Sequence, residues 1–211
     1  MPIIIEGGPS GNDAEVDAYK AAQRVSIVPR AASYAATGPT GTIAAALAAN
    51  SSVFTMRSDP AAGASYKIYI ARIRVEFTTI VAFTTPITAA RRLALFRGSG
   101  ATPSGGTALT VVKKDTADGA SKVIDARIAT TGALTVTGVT FETAPIREMM
   151  LVHVGAAGAY TDRVWEFNST DAGGELVLNQ GELLAVRNPA AMDAAGTFQL
   201  EVLVDWFEGT V

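Results

Sequence analysis

An all-β fold, an antiparallel and jelly-roll-like β-sandwich behind an extended, partly helical N-terminal arm, is what this sequence predicts. Three observations carry the prediction. From residue 51 onward, apolar and polar residues alternate with a period of two, as on a half-buried strand. Gly, Pro, Asn or Asp stands in nearly every gap, marking about nine to eleven short strands, the grammar of a sandwich or jelly roll. No long amphipathic helix falls between strands, which sets aside a parallel sheet with crossover helices.

The elements follow in chain order. After "PIIIEGGPSGN", residues 13–24, "DAEVDAYKAAQR", read as a helix. Asp13 is placed to cap it, acids crowd its first turn, and Lys20 and Arg24 complement its last. Its apolar stripe is thin, with Val16 and Tyr19 the only large members, so it would hardly hold alone. The Gly/Pro/Ala-rich run that follows ends in "TIAAALAAN", one or two further helical turns. Residues 1–50 therefore read as an arm that orders by lying on something else, and residues 51–211 as the sandwich domain. Ile3, Ile4, Ile5, Val16 and Tyr19 are the arm's candidate contacts to partner subunits.

Within the domain, "YKIYIARIRVEFTTI" places Tyr69, Ala71, Ile73, Val75 and Phe77 on one face and Arg72, Arg74, Glu76 and Thr78 on the other. Ile68 and Ile70 make the polar face apolar at its start. "RLALFRG", "TALTVVKK", "SKVIDARIA", "ALTVTGVTFE", "MMLVHVG", "DRVWEFN" and "GELVLNQGELLAVRNP" supply further strands. In the closing "GTFQLEVLVDWFE", Phe198, Leu200, Val202, Val204 and Trp206 share one face, with Gln199, Glu201 and Asp205 opposite.

No segment carries strong chemistry. "FRGSGATPSGGTALTVVKKD", residues 96–115, gathers Gly98, Gly100, Gly105 and Gly106 near Lys113 and Lys114. A phosphate loop needs a Lys directly after its last Gly and a helix beginning there. Here Gly106 runs into β-branched "TALTVV", so the segment reads as a strand-to-strand hairpin connection. His153, the one histidine, alternates with Leu151, Val152 and Val154 and lacks a G-x-S-x-G partner, so no serine triad is drawn. Glu166, Glu175, Glu182 and Glu201 read as exposed strand positions, not a glycosidase pair. "KKDTADGAS" mimics a calcium loop, but Ala126 stands where a bidentate Glu belongs. It reads as a turn with Gly119 left-handed. Trp165/Phe167 and Trp206/Phe207 read as core pairs ahead of a sugar-stacking face.

Composition narrows the function classes. The 211 residues suffice for one sizeable domain, and 48% are hydrophobic while only 18% are charged. A chain so weakly charged is expected to hide part of its surface against other subunits. A net charge of −3 argues against a nucleic-acid partner. Without cysteine there is no disulfide, thiolate metal site or thiol nucleophile. The start "MPIIIEGGPSGND" is not expected to be a signal peptide, and no stretch is long and apolar enough for a membrane helix. No cofactor or metal is expected.

"RRLALFRGSGATPSGGTALTVVKKDTADGAS" and the closing "LVLNQGELLAVRNPAAMDAAGTFQLEVLVDWFE" together resemble a group of tailed-bacteriophage structural proteins. In that group a "LxLxRxxG" strand leads through "TPSGGT" into the next strand. A "GELLAVRN" strand and a final "F-x-L-x-V-x-V-x-W" strand then close the sheet. The resemblance covers about residues 65–207 and lies in strand grammar. It implies a virion protein with a jelly-roll-like sandwich, a head decoration or cement protein. Its partner would be the major capsid protein, its commonest state a homotrimer, and its place the capsid surface after synthesis in the host cytoplasm. The arm residues named above would then tether it to the capsid. A tail or receptor-binding protein with a carbohydrate-binding sandwich is the rival reading.

Overall fold

The structure is a computed structural model that describes residues 4–6, 13–17, 22–23, 32–83, 91–151, 156–167 and 174–210. The chain divides into two compact units, Met1–Ala31 and Ala32–Val211. In the first, β1 (Ile4–Glu6), β2 (Asp13–Asp17) and β3 (Ala22–Gln23) form an antiparallel three-stranded sheet in that order. Ile4 pairs with Glu15, Ile5 with Ala14 and Val16 with Gln23. The helix expected over 13–24 is thus replaced by strands at Asp13–Asp17 and Ala22–Gln23. An isolated helix of that length with a thin apolar stripe is marginal in water, and the β-branched "IIE" strand offers the same residues a ladder.

Among the described residues, the second unit holds thirteen strands. They are β4 (Ala32–Pro39), β5 (Ser51–Ser58), β6 (Tyr66–Val81), β7 (Arg92–Gly100), β8 (Thr107–Ala108), β9 (Val112–Lys113) and β10 (Val123–Ile128), then β11 (Val139–Phe141), β12 (Arg147–Met150), β13 (Tyr160–Glu166), β14 (Leu176–Leu178), β15 (Glu182–Asn188) and β16 (Thr197–Thr210). One antiparallel sheet runs β11-β7-β15-β5-β10-β8, with β12 also on β7. The other runs β13-β6-β16-β4-β9, with β14 also on β6. The two sheets share one hydrophobic core, a β-sandwich-like arrangement. No helix occurs among the described residues.

The boundary expected near residue 50 moves to residue 31. β4 is an interior strand of the second sheet, flanked by β16 and β9. Tyr34 is buried and stacks on Trp206 at 5.8 Å between ring centroids. Ile43 is fully buried and exchanges backbone hydrogen bonds with Phe198. Small residues such as "ASYAATGP" hide this strand from a reading based on large apolar side chains, yet they let it pack closely.

β16 keeps the predicted alternation along its length: Phe198, Leu200, Val202, Val204 and Trp206 are all buried. β6 does not. Asp205 pairs with Arg72 while Trp206 pairs with Ile70, so Ala71 is an extra residue in a β-bulge. The bulge shifts the phase by one, which turns Ile68 and Ile70 inward with Ile73, Val75 and Phe77. Tyr69 and Ala71, assigned to the core face by strict alternation, lie half-buried instead. The apolar pair out of phase in the sequence was the mark of that bulge.

The first sheet is buried on both faces at its centre. Phe54, Met56, Leu95, Leu184 and Val186 point to the shared core. Thr55, Leu183, Ala185, Ala94 and Phe96 alternate with them and are buried as well. Over this outer side Arg57 reaches the chain between β7 and β8, and Arg187 lies against Phe96 and Phe141.

Candidate functional site

The glycine-rich segment is the first place to look for chemistry. It does not join neighbouring strands: β7 and β8 are separated in the sheet by β15, β5 and β10. Four inter-strand spacings amount to about 19 Å, close to the reach of residues 101–106 at about 3.3–3.6 Å each. The hairpin expectation is therefore corrected. The segment is a crossing strand-to-strand connection drawn flat over the outer face of the first sheet.

Lying flat demands glycine where backbones meet. At Gly106, φ is +59° and a Cβ would stand 2.2 Å from the Ile128 carbonyl oxygen. At Gly100, φ is +123° and a Cβ would stand 2.2 Å from the Gly138 carbonyl oxygen. Two of the loop's amides are taken: Ala101 N–H donates to the Gly138 carbonyl and Ser104 N–H to the Thr135 carbonyl. The buried Arg57 donates from its two terminal nitrogens to the Thr102 hydroxyl and the Gly100 carbonyl. Arg127 donates to the Gly105 carbonyl at 2.6 Å. The lysines are committed too, Lys113 to the Asp118 carbonyl at 2.6 Å and Lys114 to Asp205 at 2.6 Å. This loop seals the sheet.

Other sequence candidates separate in space or serve the fold. Asp115 accepts from the Ala117 amide at 3.0 Å and Asp118 from the Ser33 amide at 2.9 Å, so both shape a turn. Gly119 in that turn is not left-handed, contrary to expectation. No cluster of metal-ligating groups occurs among the described residues. Glu166 and Glu201 stand exposed on the second sheet, Glu175 is exposed before β14, and Glu182 in the first sheet accepts from the Asn179 amide at 2.7 Å. Trp165, Phe167 and Trp206 are buried, which leaves Phe207 as the one exposed member of the two aromatic pairs. Ile4 and Ile5 lie on β1 and Val16 on β2, and none of the three pairs with another. Ile3, Tyr19 and His153 lie outside the described residues.

The residues that stand out are polar ones inside apolar runs. Glu208, 2% exposed, accepts from Tyr66 Oη at 2.8 Å, Trp206 Nε1 at 2.8 Å, the Lys122 amide at 2.8 Å and Ser121 Oγ. Burial, then the bond to Glu208, pushes the Tyr66 phenol well above its usual range. Burial likewise raises Tyr34, with the charges of Glu208 and Asp118 adding to it. Asp205, on the outer side of β16, is hydrogen-bonded by Arg72 at 2.7 Å and Lys114 at 2.6 Å. Burial pulls its pKa up, but those two cations outweigh burial and hold it below the usual carboxylate value. Arg187 lies over Phe141 at 3.9 Å and Phe96 at 5.2 Å, and its burial lowers its pKa. The sequence signal was present in each case, a charge interrupting "VFTMRS", "LLAVRN" or "VLVDWFE".

Open surface among the described residues includes two places of note. A cleft of about 190 Å³ lies between Arg97, Ser99, Phe141, Glu142 and Glu182. Arg97 and Glu142 pair across it at 2.7 Å. On the second sheet, Asp162, Glu76 and Glu201 form one row, bridged by Arg74 to Glu76 at 2.6 Å and to Asp162 at 3.2 Å. Tyr160, Ile80, Val81 and Val164 add exposed apolar area near that edge. No family model matches the chain, and no curated protein aligns with it at a significant level.

Proposed function

We propose that this chain is a non-enzymatic structural protein of a tailed-phage virion, a decoration or cement protein on the head shell, built on a jelly roll. It would bind the major capsid protein and its own copies, as a homotrimer, on the capsid surface. The observation that carries this reading is the split into a sandwich and a separate unit at Met1–Ala31. A body with its own core and a second compact β unit suits a protein that must hold several neighbours at once. The jelly roll is supported by strand order. β4-β16-β6-β13 and β5-β15-β7-β12 form two interleaved rows of four, with β8 to β11 as an insertion. "LALFRG" and the closing strands of the phage-protein resemblance supply β7, β15 and β16, which lie in those rows. The buried Arg57, Asp205 and Glu208 hold strands and loops together. The burial of Trp165 and Trp206 removes the stacking face on which a glycan-binding alternative was built.

Purified protein added to undecorated heads tests the reading. The full chain should sediment with heads and run as a trimer by light scattering, while a chain starting at Ala32 stays folded and binds far more weakly. Equal binding by the shortened chain would locate the contact on the sandwich and overturn the tether. Binding only to tails, cells or glycans would favour the receptor-binding class.

A further inference from the structure

Between β8 and β10 the chain leaves the first sheet, pairs with the second through β9, and returns. It straps one open side of the sandwich. From residue 112 to residue 120 no side chain is buried, and Val112 is 56% exposed. The strap is held by hydrogen bonds and charge. Its ladder on β4 is two residues long, Val112 opposite Ala35 and Lys113 opposite Tyr34, extended by the Lys114 amide on the Ser33 carbonyl at 2.8 Å. Lys114 pairs with Asp205, Asp118 accepts from the Ser33 amide, and Tyr34 Oη donates to the Gly119 carbonyl at 3.1 Å. Just beyond, Ser121 and Lys122 are gripped by the buried Glu208.

We propose that residues 112–120 detach from the second sheet as a unit, while the sandwich stays folded, when the charges that anchor them are screened or neutralised. A segment without buried apolar contacts sits at the low end of a protein's local stability. Its ionic anchor is half in water, since the Lys114 side chain is 45% exposed against 9% for Asp205. Salt therefore weakens it. The groups facing Asp205 are Lys114 from the strap and Arg72 from β6, with Glu166 opposite Arg72 on β13. Those facing Asp118 are the Ser33 amide and Tyr34 from β4 and, within the strap, Lys113 and Asp115. Those around Glu208 are Tyr66, Tyr34, Trp206, Ser121 and the Lys122 amide.

The sign for acid follows from Asp205. Its folded pKa is depressed, so its contribution is whole above its unfolded value of about 3.9 and fades as pH falls through the lower folded value. Detachment uncovers the edge of β4 at Tyr34 and Ala35, an extended strand edge that the strap otherwise guards.

Hydrogen exchange on the full chain, corrected for the intrinsic chemical rate, tests this. The amides of Ser33 and Lys114 should exchange faster than those of β6 and β16. Lys114→Ala should speed them by about tenfold or more, a change of about 1.4 kcal/mol in opening, and leave β6 and β16 unchanged. Molar salt should act in the same direction on the wild type and have little effect on the variant. In acid, protection of the strap should fall before that of the core. Exchange of strap and core at one common rate, or equal acceleration of both by Lys114→Ala, would overturn the proposal. So would strap amides that ignore salt and acid until the whole protein unfolds.

Discussion

Glu208 shows how much a single carboxylate can hold. It joins the end of β16 to the start of β6 and to the loop at Ser121–Lys122, with its carboxylate and the Trp206 indole buried and the other partners half-buried. Removing it leaves the Tyr66 hydroxyl, the Trp206 indole and the Lys122 amide short of an acceptor. A buried orphaned group costs about 1–3 kcal/mol and half-buried ones less, so Glu208→Ala should lower unfolding free energy by about 1–3 kcal/mol in urea melts. Glu208→Gln, which keeps an acceptor oxygen, should cost clearly less. Equal losses for both would mean that packing, not hydrogen bonding, sets the value of this position. Gly106 offers a second contrast. Gly106→Ala meets both a left-handed backbone and the Ile128 carbonyl, whereas Gly63→Ala meets a left-handed backbone in open space. The Gly63 change should cost about 1–2 kcal/mol, and the Gly106 change at least twice that on the same scale. Similar costs would show that the crossing loop can lift off the sheet.

At the scale of elements, the crossing loop and the bulged strand explain where pattern reading stopped. Glycine, serine and threonine before a strand identify a turn, but they do not say which strand comes next in space. Here the next strand is at the far edge of the sheet, so the turn became a cover. The Ala101 and Ser104 amides and the neighbouring lysines are satisfied internally. ATP or GTP should therefore leave the melting temperature unchanged. A nucleotide at a hundred times its dissociation constant would add about 2.7 kcal/mol, easily read as a shift, and such a shift would restore a phosphate site. The bulge at Ala71 was legible in outline, because Ile68 and Ile70 were apolar on the wrong face. What two-residue periodicity could not supply was the resolution of that conflict, which came from pairing with β16.

For the whole molecule, the consequence is where it can be cut. Removing residues 1–31 takes away one compact unit and leaves the two sheets entire. Removing residues 1–50 also takes β4, the stack of Tyr34 on Trp206 and the buried Ile43. Losing large buried aromatic and aliphatic side chains costs about 3–5 kcal/mol apiece, against a typical total of about 5–15 kcal/mol. A chain starting at Ala32 should keep its β-sheet circular dichroism and melt cooperatively, while one starting at Ser51 should be unfolded or melt far lower. Retention of a native-like melt by the shorter chain would show that β4 is dispensable.

The sequence by itself determined the all-β class, the antiparallel character, and the inward face of β16. These depend on local alternation, which a strand imposes wherever one side is dry. It also showed that the glycine loop lacks the grammar of a phosphate site. Only the tertiary structure decided that β4 belongs to the sheet, that β6 changes phase at Ala71, and that the glycine loop roofs a sheet instead of ending a hairpin. It alone brought Glu208 to Ser121, and Asp205 to Arg72 and Lys114. Those partners are 87, 133 and 91 residues apart in sequence. Their meeting is fixed by strand order, which composition and period do not encode.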